Sequence, residues 1–224
     1  MNVTSYPCTL PDGSSADEYA LAFERGAAQR LLIIPALFDE GHRMRRLCVD
    51  VMRRLDGSGI DCILPDLPGT NESKADLGTL ALADWAAAAS AAASHFGATH
   101  VLAIRGGGLI VPAGLPGWRY GPVKGASLLR TLIRARVLSS REAGREENGE
   151  GLLIEAQEHG IELAGYRLGA AMVQQLQAAQ PNTELAEIEQ DLLGGSPLWL
   201  RAEPDADPAQ ADALAAYLTM AMRG

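Results

Sequence analysis

The chain has 224 residues, 47% of them hydrophobic, and a formal net charge of −9. That length is enough for one ordinary domain with a full core, so residues 1–224 are read as a single unit. The negative charge disfavours nucleic acid as a partner, and no apolar run is long enough to span a bilayer.

Residues 2–26 alternate polar and apolar side chains around Pro11-Asp-Gly-Ser-Ser15, which predicts a hairpin with Glu18 to Glu24 in its second strand. Leu31 to Ile34 is a continuous apolar strand of the kind covered on both faces. Pro35 to His42 reads as a loop. Arg43 to Leu55 has helical spacing, with Met44, Leu47, Val51 and Leu55 on one face. Ile60 to Leu64 is the next strand, followed by the turn Pro65 to Ser73. An alanine-rich helix through Leu80 to Phe96 leads to a strand at His100 to Ile104. Strand and helix alternate here, so a mainly parallel sheet is expected, with its crevice beyond the carboxyl ends of the strands.

The second half is less regular. Trp118 to Gly125 reads as a strand end and turn, and Ala126 to Leu138 as a helix with Arg130, Arg134 and Arg136 along a solvated face. Ser139 to Gly151 is polar and is the candidate for a mobile surface loop. Leu152 to Glu158 reads as a short helix, Ile161 to Tyr166 as a short strand, and Ala170 to Ala179 as a helix. Glu184 to Gln190 is either a strand or a helical turn. Ser196 to Leu200 is the last strand candidate, and Ala209 to Met222 a closing amphipathic helix.

One stretch organises the rest. Val101 to Ile104 breaks into Arg105-Gly106-Gly107-Gly108, an apolar strand ending in glycines. This resembles the nucleophile elbow of α/β-hydrolases, where one side chain is displayed above the sheet at the start of a helix. Ala103 and Gly107 supply the small residues that such a turn needs. The displayed residue is Arg105, where a hydrolase carries Ser, Cys or Asp. The expected fold is therefore an α/β-hydrolase-like three-layer sandwich. Its sheet should be mostly parallel with an antiparallel N-terminal strand, and little or no cap domain is expected.

The chemistry departs from that pattern. Guanidinium has no lone pair with which to attack. The four histidines are His42, His95, His100 and His159, and none follows Trp199, where a hydrolase would place its imidazole. Burying an unpaired guanidinium is costly, so Arg105 needs a partner, and Asp39 or Glu40 on the neighbouring loop can supply one. Arg105 beside glycine amides is also a candidate anion site, with Gly106, Phe38 and Glu203 as further ligand-binding candidates. The catalytic alternative uses the carboxylates Asp39 and Glu40 with His42. Asp66 is read as a turn residue, and Trp118, Trp199 and Tyr166 as core aromatics that could line a pocket. Three scattered cysteines, Cys8, Cys48 and Cys62, form no disulfide framework or zinc cluster, and no motif calls for a metal or a cofactor.

Several blocks together resemble one family, the exosortase A system-associated hydrolases of type 2. They are Pro35-Ala-Leu-Phe-Asp-Glu-Gly-His-Arg-Met-Arg-Arg46, Leu64-Pro-Asp-Leu-Pro-Gly-Thr-Asn-Glu-Ser73, Ile104-Arg-Gly-Gly-Gly108, Trp118-Arg-Tyr-Gly-Pro-Val-Lys-Gly125, Leu163-Ala-Gly-Tyr-Arg-Leu168, and Leu198-Trp199 with Glu203. The chain departs from the family at Gly41-His42, where Met-Asn is expected. It is also shortened between Tyr166 and Trp199. The resemblance implies a bacterial cytoplasmic protein from loci for exopolysaccharide export and C-terminal protein sorting. Three readings follow: a non-enzymatic binder of a small anionic molecule or protein partner, an atypical hydrolase or acyltransferase, and an obligate partner subunit, for instance a homodimer.

Overall fold

A computed structural model describes residues 1–224. The N-terminal hairpin pairs β1 (Asn2–Thr9) with β2 (Ser15–Phe23) in antiparallel register, Asn2 opposite Ala22. Then follow β3 (Arg30–Ile34), α1 (Asp39–Gly57), β4 (Asp61–Pro65), α2 (Leu82–His95), β5 (His100–Ile104) and β6 (Gly117–Tyr120). The second half holds α3 (Gly125–Glu142), α4 (Gly149–His159), β7 (Ile161–Leu163), β8 (Tyr166–Leu168), α5 (Ala170–Ala178), β9 (Ala186–Ile188), α6 (Gln190–Leu193) and α7 (Pro208–Arg223). The main sheet has seven strands in the order β1-β2-β4-β3-β5-β6-β9. β1, β2 and β4 are joined antiparallel, and all later pairings are parallel.

The continuous apolar runs divide between the two faces by the two-residue period of a strand. Leu32 and Ile34 of β3, with Val101 and Ala103 of β5, face a core made with α2, α3, α4 and α5. Leu31, Ile33, Leu102 and Ile104 face the other core, made with α1 and α7. Both faces of β3 and β5 are covered, so these two strands carry no polar side within their apolar runs.

Several segments differ from the sequence expectation. Ser196 to Leu200 is not a strand: Leu198–Leu200 is a single 3-10 turn, and Ala186–Ile188 is the edge strand. The expected loop at 139–151 is mostly helix, because α3 runs on to Glu142 and α4 starts at Gly149. Buried Ser140 donates to Glu147, and Arg136 forks onto the same carboxylate, which fastens the short connection. Ile161 to Tyr166 is a two-stranded hairpin rather than one strand, turning at Ala164 and Gly165 with φ of 49° and 84°. The elbow leads into a short 3-10 turn, Arg105–Leu109, instead of a full helix. Three glycines favour that shorter form.

Candidate functional site

Arg105 sits where β5 ends, with φ of 52°, a conformation that costs a non-glycine residue about 1–3 kcal/mol. The glycines beside it are required by space. A Cβ on Gly107 would lie 2.7 Å from the carbonyl oxygens of Ile34 and Pro35, and one on Gly106 2.8 Å from Leu128. The guanidinium forks onto Glu40, Nε to Oε2 at 3.0 Å and Nη2 to Oε1 at 2.8 Å. Nη1 donates to the Gly121 carbonyl at 2.6 Å, and the Trp199 ring lies 4.4 Å from Cζ. The side chains of Arg105 and Glu40 are only 13% and 16% exposed. The fork, the carbonyl and the ring therefore satisfy the charge from within the protein.

Glu40 reaches the elbow because α1 begins earlier than its apolar spacing suggests. Asp39, Glu40 and His42 all lie in its first turn, where carboxylates are favoured by the helix dipole. Phe38 makes the sharp entry with φ 57° and ψ −140°, and its carbonyl accepts from the Gly41 amide at 2.8 Å. Gly41 has no room for a side chain, since a Cβ would lie 2.7 Å from the Ala36 oxygen. The three catalytic candidates are separated by this helical turn. Glu40 is held by Arg105, Asp39 lies beside the Tyr166 hydroxyl, and His42 is exposed. Burial, followed by the Asp39 charge, pushes the Tyr166 hydroxyl well above its usual range.

On the far side of Phe38 lies a cavity of about 400 Å³. Its walls come from the 35–42 loop, the 67–77 turn, Trp85 of α2 and the β7–β8 hairpin. Phe38 packs against Trp85 and Tyr166 with ring centroids 5.5 and 5.3 Å apart. Of the predicted site residues, Phe38 and His42 line this cavity, while Arg105, Gly106, Asp39, Glu40 and Glu203 do not. Glu203 is exposed on the 201–207 loop. Asp66 is buried and structural: its carboxylate takes Arg45 at 2.9 Å and Asn71 at 2.6 Å, and its carbonyl takes the Tyr6 hydroxyl at 2.7 Å. Trp118 belongs to the core, whereas Tyr166 lines the cavity and Trp199 covers the elbow. Sequence reasoning missed Trp85, Leu77 and Arg167, which reach the cavity from separate segments. The chain has four non-glycine residues with positive φ: Phe38, Asn71, Arg105 and Ala164. Two line the cavity, Ala164 adjoins it at Gly165, and the fourth is the elbow itself.

No protein-family model matches the chain, and no curated protein does. Solved structures match by shape. Est1E from Butyrivibrio proteoclasticus, seen with ferulic acid, is 16% identical over 79% of this chain and 71% of its own, with a TM-score of 0.51. DcsB, seen with a substrate analogue, is 12% identical over 99% of this chain and 98% of its own, at 0.56. Rv0554 from Mycobacterium tuberculosis is 10% identical over 98% and 97%, at 0.53. At such identities the likeness is one of fold. The sheet order, the antiparallel first strands and the flanking helices give this chain the α/β-hydrolase fold, without a large cap.

Proposed function

We propose that this is a non-hydrolytic α/β-hydrolase-fold protein whose crevice binds a small molecule or a partner. We place it among accessory proteins of exopolysaccharide export and protein sorting in the bacterial cytoplasm. The observation that carries the first part is the Arg105–Glu40 fork, 2.8 and 3.0 Å long, standing where the fold displays a nucleophile. An anion is the ligand that the charge of Arg105 would favour, but Glu40 takes that place from inside the chain. The open space nearby is the cavity beside Phe38. No helix is long and apolar enough to cross a membrane.

The family reading is supported by convergence. Glu40 of the acidic-pair block binds Arg105 of the elbow block, and Gly121 of the Trp118–Gly125 block accepts from the same guanidinium. Trp199 covers it, and Arg45 of the first block holds Asp66 of the second. Tyr166 packs on Phe38. Blocks far apart in sequence thus form one place in the fold. The test is turnover of short-chain p-nitrophenyl esters and thioesters by purified protein. The expected result is a rate equal to buffer. Saturable turnover that is lost in Glu40→Gln and kept in Ser73→Ala would establish the atypical hydrolase instead.

A further inference from the structure

We infer that the cavity beside Phe38 takes a small, uncharged aromatic molecule that carries an N–H or O–H donor. This rests on the reading of the crevice as a binding site and specifies its ligand. The body of the ligand follows from the walls. Phe38 meets Tyr166 edge to face and Trp85 at a 50° tilt, with Pro35, Leu37, Leu67 and Leu77 beside them. Such a wall favours a flat apolar ring through offset or edge-on packing. A volume of about 400 Å³ lies near the small end of ligand sites, so one ring system fits rather than a long chain.

The charge of the ligand follows from the ion pairs around the opening. Arg167 and Asp76, both on the wall, bind each other at 2.8 Å. Asp66 below the turn is matched by Arg45 at 2.9 Å, and Arg105 by Glu40 at 2.8 Å. No lining cation or carboxylate is left without an opposite charge, so a charged ligand would enter without a counter-ion and bear the desolvation cost alone.

The polar end follows from the atoms left free. Thr70 is used locally, its hydroxyl donating to the Leu67 carbonyl at 2.7 Å. Asn71, an exposed residue at the rim, gives its amide to Asp66, and its carbonyl oxygen is open to solvent or a ligand. The His42 ring at the opening has no partner in the protein. A carbonyl acceptor calls for a donor on the ligand. The walls are also held in place: Phe38 and Asn71 are kept at φ of 57° and 49°, and Trp85 is fixed by its indole N–H on the Pro68 carbonyl at 2.8 Å.

The experiment is an amide-resolved NMR titration of the full chain with benzamide, benzoate and benzylammonium. Benzamide is expected to give saturable shifts at Phe38, Asn71, Trp85 and Tyr166, with a dissociation constant at least ~10-fold below either ion. Leu77→Trp, which fills the space, should abolish those shifts. His42→Ala, at an exposed position that folding does not depend on, should weaken binding by roughly 3- to 10-fold. Tightest binding by benzoate at the same residues would overturn the uncharged class and leave the crevice reading standing. Absence of saturable shifts with all three probes would overturn the site. Ester turnover tests the elbow separately from either outcome.

Discussion

At the elbow, Arg105 takes the backbone conformation of the displayed position and turns its guanidinium onto Glu40. Its positive φ and its flanking glycines are those of a displayed nucleophile, yet every contact of its guanidinium is internal. The glycine requirement is steric: a methyl group on Gly107 would meet two backbone oxygens at 2.7 Å, and backbone cannot swing aside as a side chain can. Gly107→Ala is therefore expected to destabilise by about 2–3 kcal/mol, as overpacking does in a tight core. Urea unfolding checks it, and a loss below about 0.5 kcal/mol would mean that the elbow backbone yields easily. The fork itself was legible in the sequence, because a buried guanidinium requires a carboxylate and the 35–42 loop offers two. Which of the two was not legible. That choice depends on the helix starting at Asp39, which points Glu40 to the elbow and puts Asp39 beside Tyr166.

At the scale of elements, the strands that could be read were those with a full apolar run. β3 and β5 are buried on both faces and announce themselves. β9 has three residues with only Ile188 buried, too short for a period. Leu198-Trp199-Leu200 looked like a strand because it is apolar, but Leu198 fills the core below α7 while Trp199 covers Arg105. The polar run after Leu138 looked like a loop, yet its polar groups close on one another. Arg136, followed by Ser140, holds the Glu147 carboxylate down to a pKa of about 2. A carboxylate depressed in the folded state contributes stability above the ordinary glutamate value of about 4.3, and that contribution disappears as pH falls toward about 2. Acidification through this window should lower the protection of the 143–148 amides, taken relative to the intrinsic exchange rate at each pH, before it lowers that of β3 or β5. Exchange mass spectrometry across the range reads it directly. Simultaneous loss of protection in both regions would show that the carboxylate has no local role.

For the whole molecule, the sheet brings five separated segments to one end, which is why the site was only half visible in the sequence. The elbow could be read from a single stretch. The cavity could be read only in part: Phe38 and Tyr166 stand out as pocket candidates in the sequence, but Trp85 lies in an alanine-rich helix with no motif, and nothing in the sequence shows that these separated segments meet. The four strained non-glycine residues gather at this same end. Backbone strain is kept where the surrounding structure enforces it, and here it shapes a charge pair and a pocket wall. Residues 40 and 105 come from different βα units, so their pairing ties the first crossover of the sheet to its centre. Through Glu40, the elbow charge serves the fold. A double-mutant cycle of Arg105→Met and Glu40→Gln, read by urea unfolding, tests it most directly. The two losses are expected to be coupled by about 1.5–3 kcal/mol, the double variant being far more stable than the sum implies. Additivity within about 0.5 kcal/mol would contradict it.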